Sequence, residues 1–249
     1  MSPAATPPSA DAGDDPEAIR VLAEGELEIL GLLPRSSNST FLARACLDGR
    51  DQLAVYKPRR GETPLWDFPE GTLCQREVAA YVVARELGWP EVPPTLLRDG
   101  PHGPGSVQRF VEFDPAQHYF TLHPARAADF RRIAVFDIVV NNADRKSGHC
   151  LLSPDGRIFV VDHGVCFSPD PKLRTVIWEF ADEPIPPELR EDARRLAAGL
   201  GAGGDLRARL AALLSDEEVE ATRRRALAVA RAERFPHPGP GRPYPWPAV

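Results

Sequence analysis

Asn141-Asn142-Ala143-Asp144-Arg145-Lys146-Ser147-Gly148-His149 interrupts the chain between two apolar segments. Before it, residues 130–140 space their apolar side chains as one face of a helix. After it, residues 149–152 and 157–161 read as short strands joined by Ser153-Pro154-Asp155-Gly156, a turn in which each residue has a conformational reason to be present. Pairing the two strands across that turn brings His149 and Asp162 to the same open end, with Asp144 just before it. Two groups suited to metal binding and one carboxylate base then converge in a polar loop held by rigid elements, the usual setting for catalytic groups.

Working outward, the pattern is α+β. Residues 17–113 are rich in strand signals and carry one strong helix, whereas residues 114–235 are mainly helical around the single hairpin. Strands are expected at 27–33, 41–47 and 53–57, the last stopping at Pro58, with further extended pieces at 92–95 and 106–111. The helix is LCQREVAAYVVAREL, with Thr72 offered as its N-cap and Gly88 as the residue that closes it. Two more helices are expected at 187–200 and 216–234, the second with a capping box of Ser215 and Glu218. Residues 1–16 and 236–249 read as tails, the first rich in Pro, Ala and Asp, the second in Pro.

Composition narrows the functional classes. The net charge of -6 argues against general nucleic-acid binding. No window holds the roughly 18 apolar residues of a membrane span, so no integral membrane association is expected. The acidic N-terminus lacks the apolar core of a secretory signal, and Cys46, Cys74, Cys150 and Cys166 are scattered, without a C-x-x-C pair. Isolated thiols in an unexported chain fit the reducing cytoplasm.

Of the 30 basic residues only Lys57, Lys146 and Lys172 are lysines. Lysine kept in so arginine-rich a chain suggests a need for a compact ammonium, which guanidinium does not replace at a phosphate. Lys57 ends an otherwise apolar strand. Glu77, in the helix that follows, has Leu73, Ala80, Tyr81 and Ala84 as its face neighbours, and a carboxylate on such a face requires a partner. Asp162 follows the apolar run Ile158-Phe159-Val160-Val161 and precedes His163-Gly164, an arrangement that holds Mg²⁺ in kinases. The run Ser36-Ser37-Asn38-Ser39-Thr40 offers hydroxyls and backbone N–H groups to phosphates, although such runs are mostly simple turns.

Taken in order, Lys57-Pro58, Glu77-Val78-Ala79-Ala80-Tyr81, Leu87-Gly88, Val92-Pro93-Pro94-Thr95 and Val107-Gln108-Arg109-Phe110-Val111 resemble the N-lobe of type II phosphatidylinositol 4-kinases. Asp144-Arg145 and Val161-Asp162-His163-Gly164 resemble the catalytic and metal-binding motifs of the wider phosphatidylinositol 3-/4-kinase superfamily, most of all an actinobacterial group within it, and HipA-type kinases share the same logic. The resemblance runs from about residue 27 to 180. It implies a two-lobed protein-kinase-like fold, with N-lobe 17–113 and C-lobe 114–235. It implies that ATP and Mg²⁺, with Mn²⁺ as the alternative ion, are bound. By the same resemblance Lys57 holds phosphates, Glu77 orients it, Asp144 is the catalytic carboxylate and Asp162 the main metal ligand. Phe110, Val111 and Glu112 would form the hinge beside adenine, with Ser36, Ser37 and Asn38 near the phosphates. His149 stands where the family has a metal-binding Asn, and the family's cysteine-rich palmitoylation motif is absent. The expected activity is transfer of the γ-phosphoryl group of ATP to a protein or small-molecule acceptor. A nucleotide-binding pseudokinase and an AMP transferase are the alternatives.

Overall fold

The computed structural model describes residues 15–33 and 38–249. Five strands, β1 (Glu26–Leu32), β2 (Phe41–Leu47), β3 (Arg50–Pro58), β4 (Thr95–Gly100) and β5 (Gly103–Arg109), form one antiparallel sheet in the order β1-β2-β3-β5-β4. Ala54 and Tyr56 of β3 face a small core with Ala43, Ala45 and Val107. A helix absent from the sequence reading, α1 (Pro16–Glu24), covers that face with Val21 and Leu22. Its signals are local and brief: Asp15 accepts the amide of Glu17 at 3.0 Å, and Pro16 sits at the first helical position. Asp15 and Pro16 therefore belong to this helix, while residues 1–14 of the expected tail lie outside the described residues.

Alternation along a strand sends Lys57 to the face opposite Tyr56. There α2 (Leu73–Leu87) packs, closed by Gly88 in the left-handed region at φ 79°. Its N-terminus differs from expectation. Thr72 has φ -113° and ψ 0°, outside the extended geometry of an N-cap, and its hydroxyl turns back to the Pro69 carbonyl at 2.7 Å. The Glu62 carboxylate caps the helix from a distance, accepting the amides of Leu73 at 3.1 Å and Cys74 at 2.8 Å.

The second half is built on α4 (Ala127–Val140), whose Phe130, Ile133, Phe136, Val139 and Val140 are buried in the main core. Around it lie α3 (Tyr119–Leu122), the hairpin β6 (Cys150–Leu152) and β7 (Ile158–Val160), α5 (Pro187–Gly199), α6 (Asp205–Ala211) and α7 (Asp216–Arg231). The Ser215–Glu218 capping box is present. Helix α6 is too short to give a clear period in sequence. The Pro-rich C-terminal stretch is docked: Pro245 is buried, and Ala248 packs against the main core.

Candidate active site

The Lys57 ammonium bridges two carboxylates. It is hydrogen-bonded to Glu77 Oε1 from α2 and reaches Asp162 Oδ1 at 3.0 Å. Burial works against the charged ammonium, but the fields of Asp162 and Glu77 outweigh it and hold its pKa above the usual lysine value. Glu77 is buried and doubly used, because its Oε2 accepts the backbone amide of His163 at 2.9 Å. The apolar helix face thus carries a carboxylate because that carboxylate ties the sheet to the loop after β7.

Asp162 adopts a left-handed backbone, φ 63°, which turns the chain at the end of the hairpin. Its carboxylate is 52% exposed, so one side remains open to a ligand. The positive charge of Lys57 holds its pKa well below the ordinary carboxylate range. His149 lies at the same end, as the strand pairing predicts, with Nε2 3.3 Å from Asp162 Oδ2. Burial lowers the imidazole pKa to about 4. Its Nδ1 accepts the Lys146 amide at 3.4 Å, which leaves the ring proton on Nε2, facing Asp162. In this tautomer His149 orients Asp162, and direct metal ligation through Nε2 requires the proton to move.

Asp144 faces Lys146, whose Nζ lies 3.1 Å from Asp144 Oδ2. Desolvation raises the Asp144 pKa, and Lys146 partly offsets that rise. Below this loop is a buried scaffold that the sequence reading did not identify. Asp137 of α4 and Arg145 are fully buried and paired, with Arg145 Nε 2.9 Å from Asp137 Oδ2 and Nη2 2.9 Å from Oδ1. Asn142 donates to Asp137 at 3.0 Å and accepts the Asp144 amide at 2.9 Å. Arg145 Nη1 also holds the Val161 carbonyl at 3.0 Å, next to Asp162. One ion pair therefore fixes both candidate catalytic aspartates. The signal for it in sequence was only a carboxylate inside an apolar helix.

Phe110, Val111 and Glu112 connect β5 to the helical half. Phe110 donates its amide to Leu53 at 3.0 Å, and Val111 packs with Leu151, Phe159 and Val161, forming an apolar wall beside the site. Ser36 and Ser37 lie outside the described residues. Asn38 is described, and its side-chain oxygen accepts the Thr63 amide at 2.7 Å, a bracing contact within the sheet half. Among the described residues no three His, Cys, Asp or Glu side chains cluster closely enough to hold a metal ion by themselves. An exposed single carboxylate suits Mg²⁺, which takes one or two protein carboxylates and completes its octahedron with phosphates and water.

The family model for phosphatidylinositol 3- and 4-kinases matches residues 96–208, a span holding both Asp144 and Asp162. Protein Rv2133c of Mycobacterium tuberculosis, whose name states no activity, is 42% identical across 94% of this chain and 96% of its own length. The chain belongs to the phosphatidylinositol 3-/4-kinase-like superfamily, in one family with Rv2133c. Phosphatidylinositol 4-kinase gamma 4 of Oryza sativa subsp. japonica is 31% identical over 48% of this chain, and its Arabidopsis thaliana counterpart 32% over 52%. The alignments cover only 25% and 28% of those plant proteins. The crystal structure of the Helicobacter pylori proinflammatory kinase CtkA superposes with a TM-score of 0.51 at 11% identity, covering 85% of this chain and 94% of that one. The fold is thus kinase-like, with an antiparallel sheet lobe and a helical lobe.

Proposed function

We propose that this protein is an ATP-dependent phosphotransferase that moves the γ-phosphoryl group to a protein or small-molecule acceptor. The observation that carries the reading is the Lys57 ammonium held between Glu77 and Asp162, with Asp144 on the neighbouring loop. A cation fixed by two carboxylates from two different elements is pre-positioned for the α- and β-phosphates. Asp162 would hold Mg²⁺, which when bound would supply neutralisation of charge on the transferred group. Lys57 would orient the phosphates, Glu77 would keep Lys57 and the His163 backbone in place, and His149 would fix the Asp162 carboxylate. Asp144 would orient the acceptor hydroxyl and accept its proton, and its raised pKa brings it closer to the range where proton transfer is efficient. Lys146 would limit the repulsion between Asp144 and the incoming phosphate. The wall of Val111, Leu151 and Val161 suits an adenine ring. The four thiols are free, which fits the cytoplasm.

Mass spectrometry of the protein and of candidate acceptors after incubation with Mg²⁺ and ATP tests the proposal. The expected product is an acceptor heavier by one phosphate, with ADP released. Gain of AMP with release of pyrophosphate would identify nucleotidyl transfer instead, and nucleotide binding with no product would identify a pseudokinase.

A further inference from the structure

Next to Glu77 on α2 is Arg76, one of the two largest fully buried side chains among the described residues, with 1% of its surface exposed. A guanidinium at this depth needs several partners, and it has them from three parts of the chain. Nη1 donates to the Cys166 carbonyl at 2.7 Å, in the segment that follows Asp162. Nη2 is hydrogen-bonded to Glu218 Oε1 in the first turn of α7. Nε reaches the Thr72 hydroxyl at 3.3 Å, and the guanidinium lies over the Phe68 ring at 5.0 Å from its centroid. Glu218 is itself fixed, because its other oxygen accepts the Ser215 amide at 2.8 Å as part of the α7 capping box. From the same helix Arg225 holds the Val139 carbonyl at 2.8 Å and the Ser168 carbonyl at 3.1 Å. Helix α7 thereby anchors both α2 and the segment after Asp162.

We infer that Arg76 is a positioning residue for phosphoryl transfer, bolting α2 and the Asp162 loop to α7 so that Glu77, Lys57 and Asp162 stay assembled; this rests on the phosphotransferase reading above. The geometry ties cause to effect. Glu77 follows Arg76 directly and bonds both Lys57 and the His163 amide, so a shift of α2 moves all three groups. In-line attack on the γ-phosphorus is sensitive to displacements of about 1 Å, whereas nucleotide binding spreads over many contacts. Loss of Arg76 should therefore slow turnover more than it weakens ATP binding.

The full chain and ATP hydrolysis provide the test. Water adds to the γ-phosphorus, the bond from that phosphorus to the β–γ bridging oxygen breaks, ADP leaves with the electron pair, and the proton passes to solvent. Wild type is compared with Arg76→Lys and with Arg76→Met/Glu218→Gln, in which the amide keeps the capping box and no charge is left buried alone. Each is measured for melting temperature, KM for Mg-ATP and kcat. The expected result for the double variant is a melting temperature near wild type, kcat lower by tenfold or more, and KM changed by less than about threefold. Arg76→Lys, with one point charge for two distant acceptors, should fall in between. If the double variant fails to fold, Arg76→Lys decides by the same split. A kcat within threefold of wild type in the folded variant overturns the inference while leaving the phosphotransferase reading intact. A wild-type protein that neither binds nor hydrolyses ATP overturns both.

Discussion

Glu77 and His163 are 86 residues apart in the chain, yet the Glu77 carboxylate accepts the His163 backbone amide at 2.9 Å while its other oxygen holds Lys57. The two halves of the molecule are therefore locked together at the candidate site itself, through a buried carboxylate whose two oxygens are both engaged. Asp144 and the exposed side of Asp162 take no part in that lock, so the acidic residues can be tested individually.

Asp144→Asn keeps the shape of the loop but removes the carboxylate. Its transfer rate should fall by about 10²-fold or more, with Mg-ATP affinity within a few-fold of wild type, since Asp144 is not part of the Lys57 bridge. Lys57→Met should lose both binding and turnover. Equilibrium binding of a fluorescent ATP analogue, set beside single-turnover transfer, separates the two patterns; full activity in Asp144→Asn would remove this loop from the mechanism.

The pH profile reports on Lys146. Desolvation raises the Asp144 pKa, and the Lys146 ammonium opposes the rise. The acid limb of kcat, if set by protonation of Asp144, should lie above the ordinary aspartate value. Lys146→Met withdraws the opposing charge, so the limb should move to still higher pH. A limb that stays in place in this variant would mean that another group controls it.

Much of this site was readable in the sequence because it depends on local periodicity. Lys57 stood out as the charged end of an apolar strand, helical spacing gave Glu77 its apolar neighbours, and hairpin counting brought His149 to Asp162. The remaining parts depend on long-range pairing that no local pattern encodes. Arg76 finds Glu218 across 142 positions, and Glu62 caps α2 from 11 positions away while Thr72, the locally obvious cap, turns elsewhere. The burial of Asp137 could be suspected from its apolar helix, but its partner could not be chosen among so many arginines.

The Asp137–Arg145 pair offers a stability test distinct from chemistry. Both side chains have no exposed surface, so removing one strands the other. Asp137→Ala should destabilise the fold by about 3–5 kcal/mol, measurable by urea denaturation. Conservative Asp137→Asn should keep part of the Asn142 contact and lose less. A loss of under about 1 kcal/mol in Asp137→Ala would show that the pair contributes little to folding.

The Pro-rich C-terminal stretch, which reads as a tail in the sequence, packs against the body of the fold. Three hydrogen bonds favour docking. The Ala248 carbonyl accepts the Ser147 amide at 2.9 Å, inside the loop between Asp144 and His149, and the Pro243 carbonyl accepts the Thr175 amide at 3.0 Å and the Trp178 indole at 3.2 Å. Ser147 and Thr175 are buried, so deleting residues 236–249 exposes or strands their amides. At about 1 kcal/mol for each lost bond, the total is about 3 kcal/mol, and for a domain of this size each kcal/mol lowers the melting temperature by roughly 2–4 °C. The truncated chain should therefore melt about 6–12 °C below the full one. Its turnover should fall as well, because Ser147 lies between Lys146 and His149 and loses an anchor. An unchanged melting temperature would show that the strip contributes nothing to the fold, and unchanged turnover beside a lowered melting temperature would confine its role to stability.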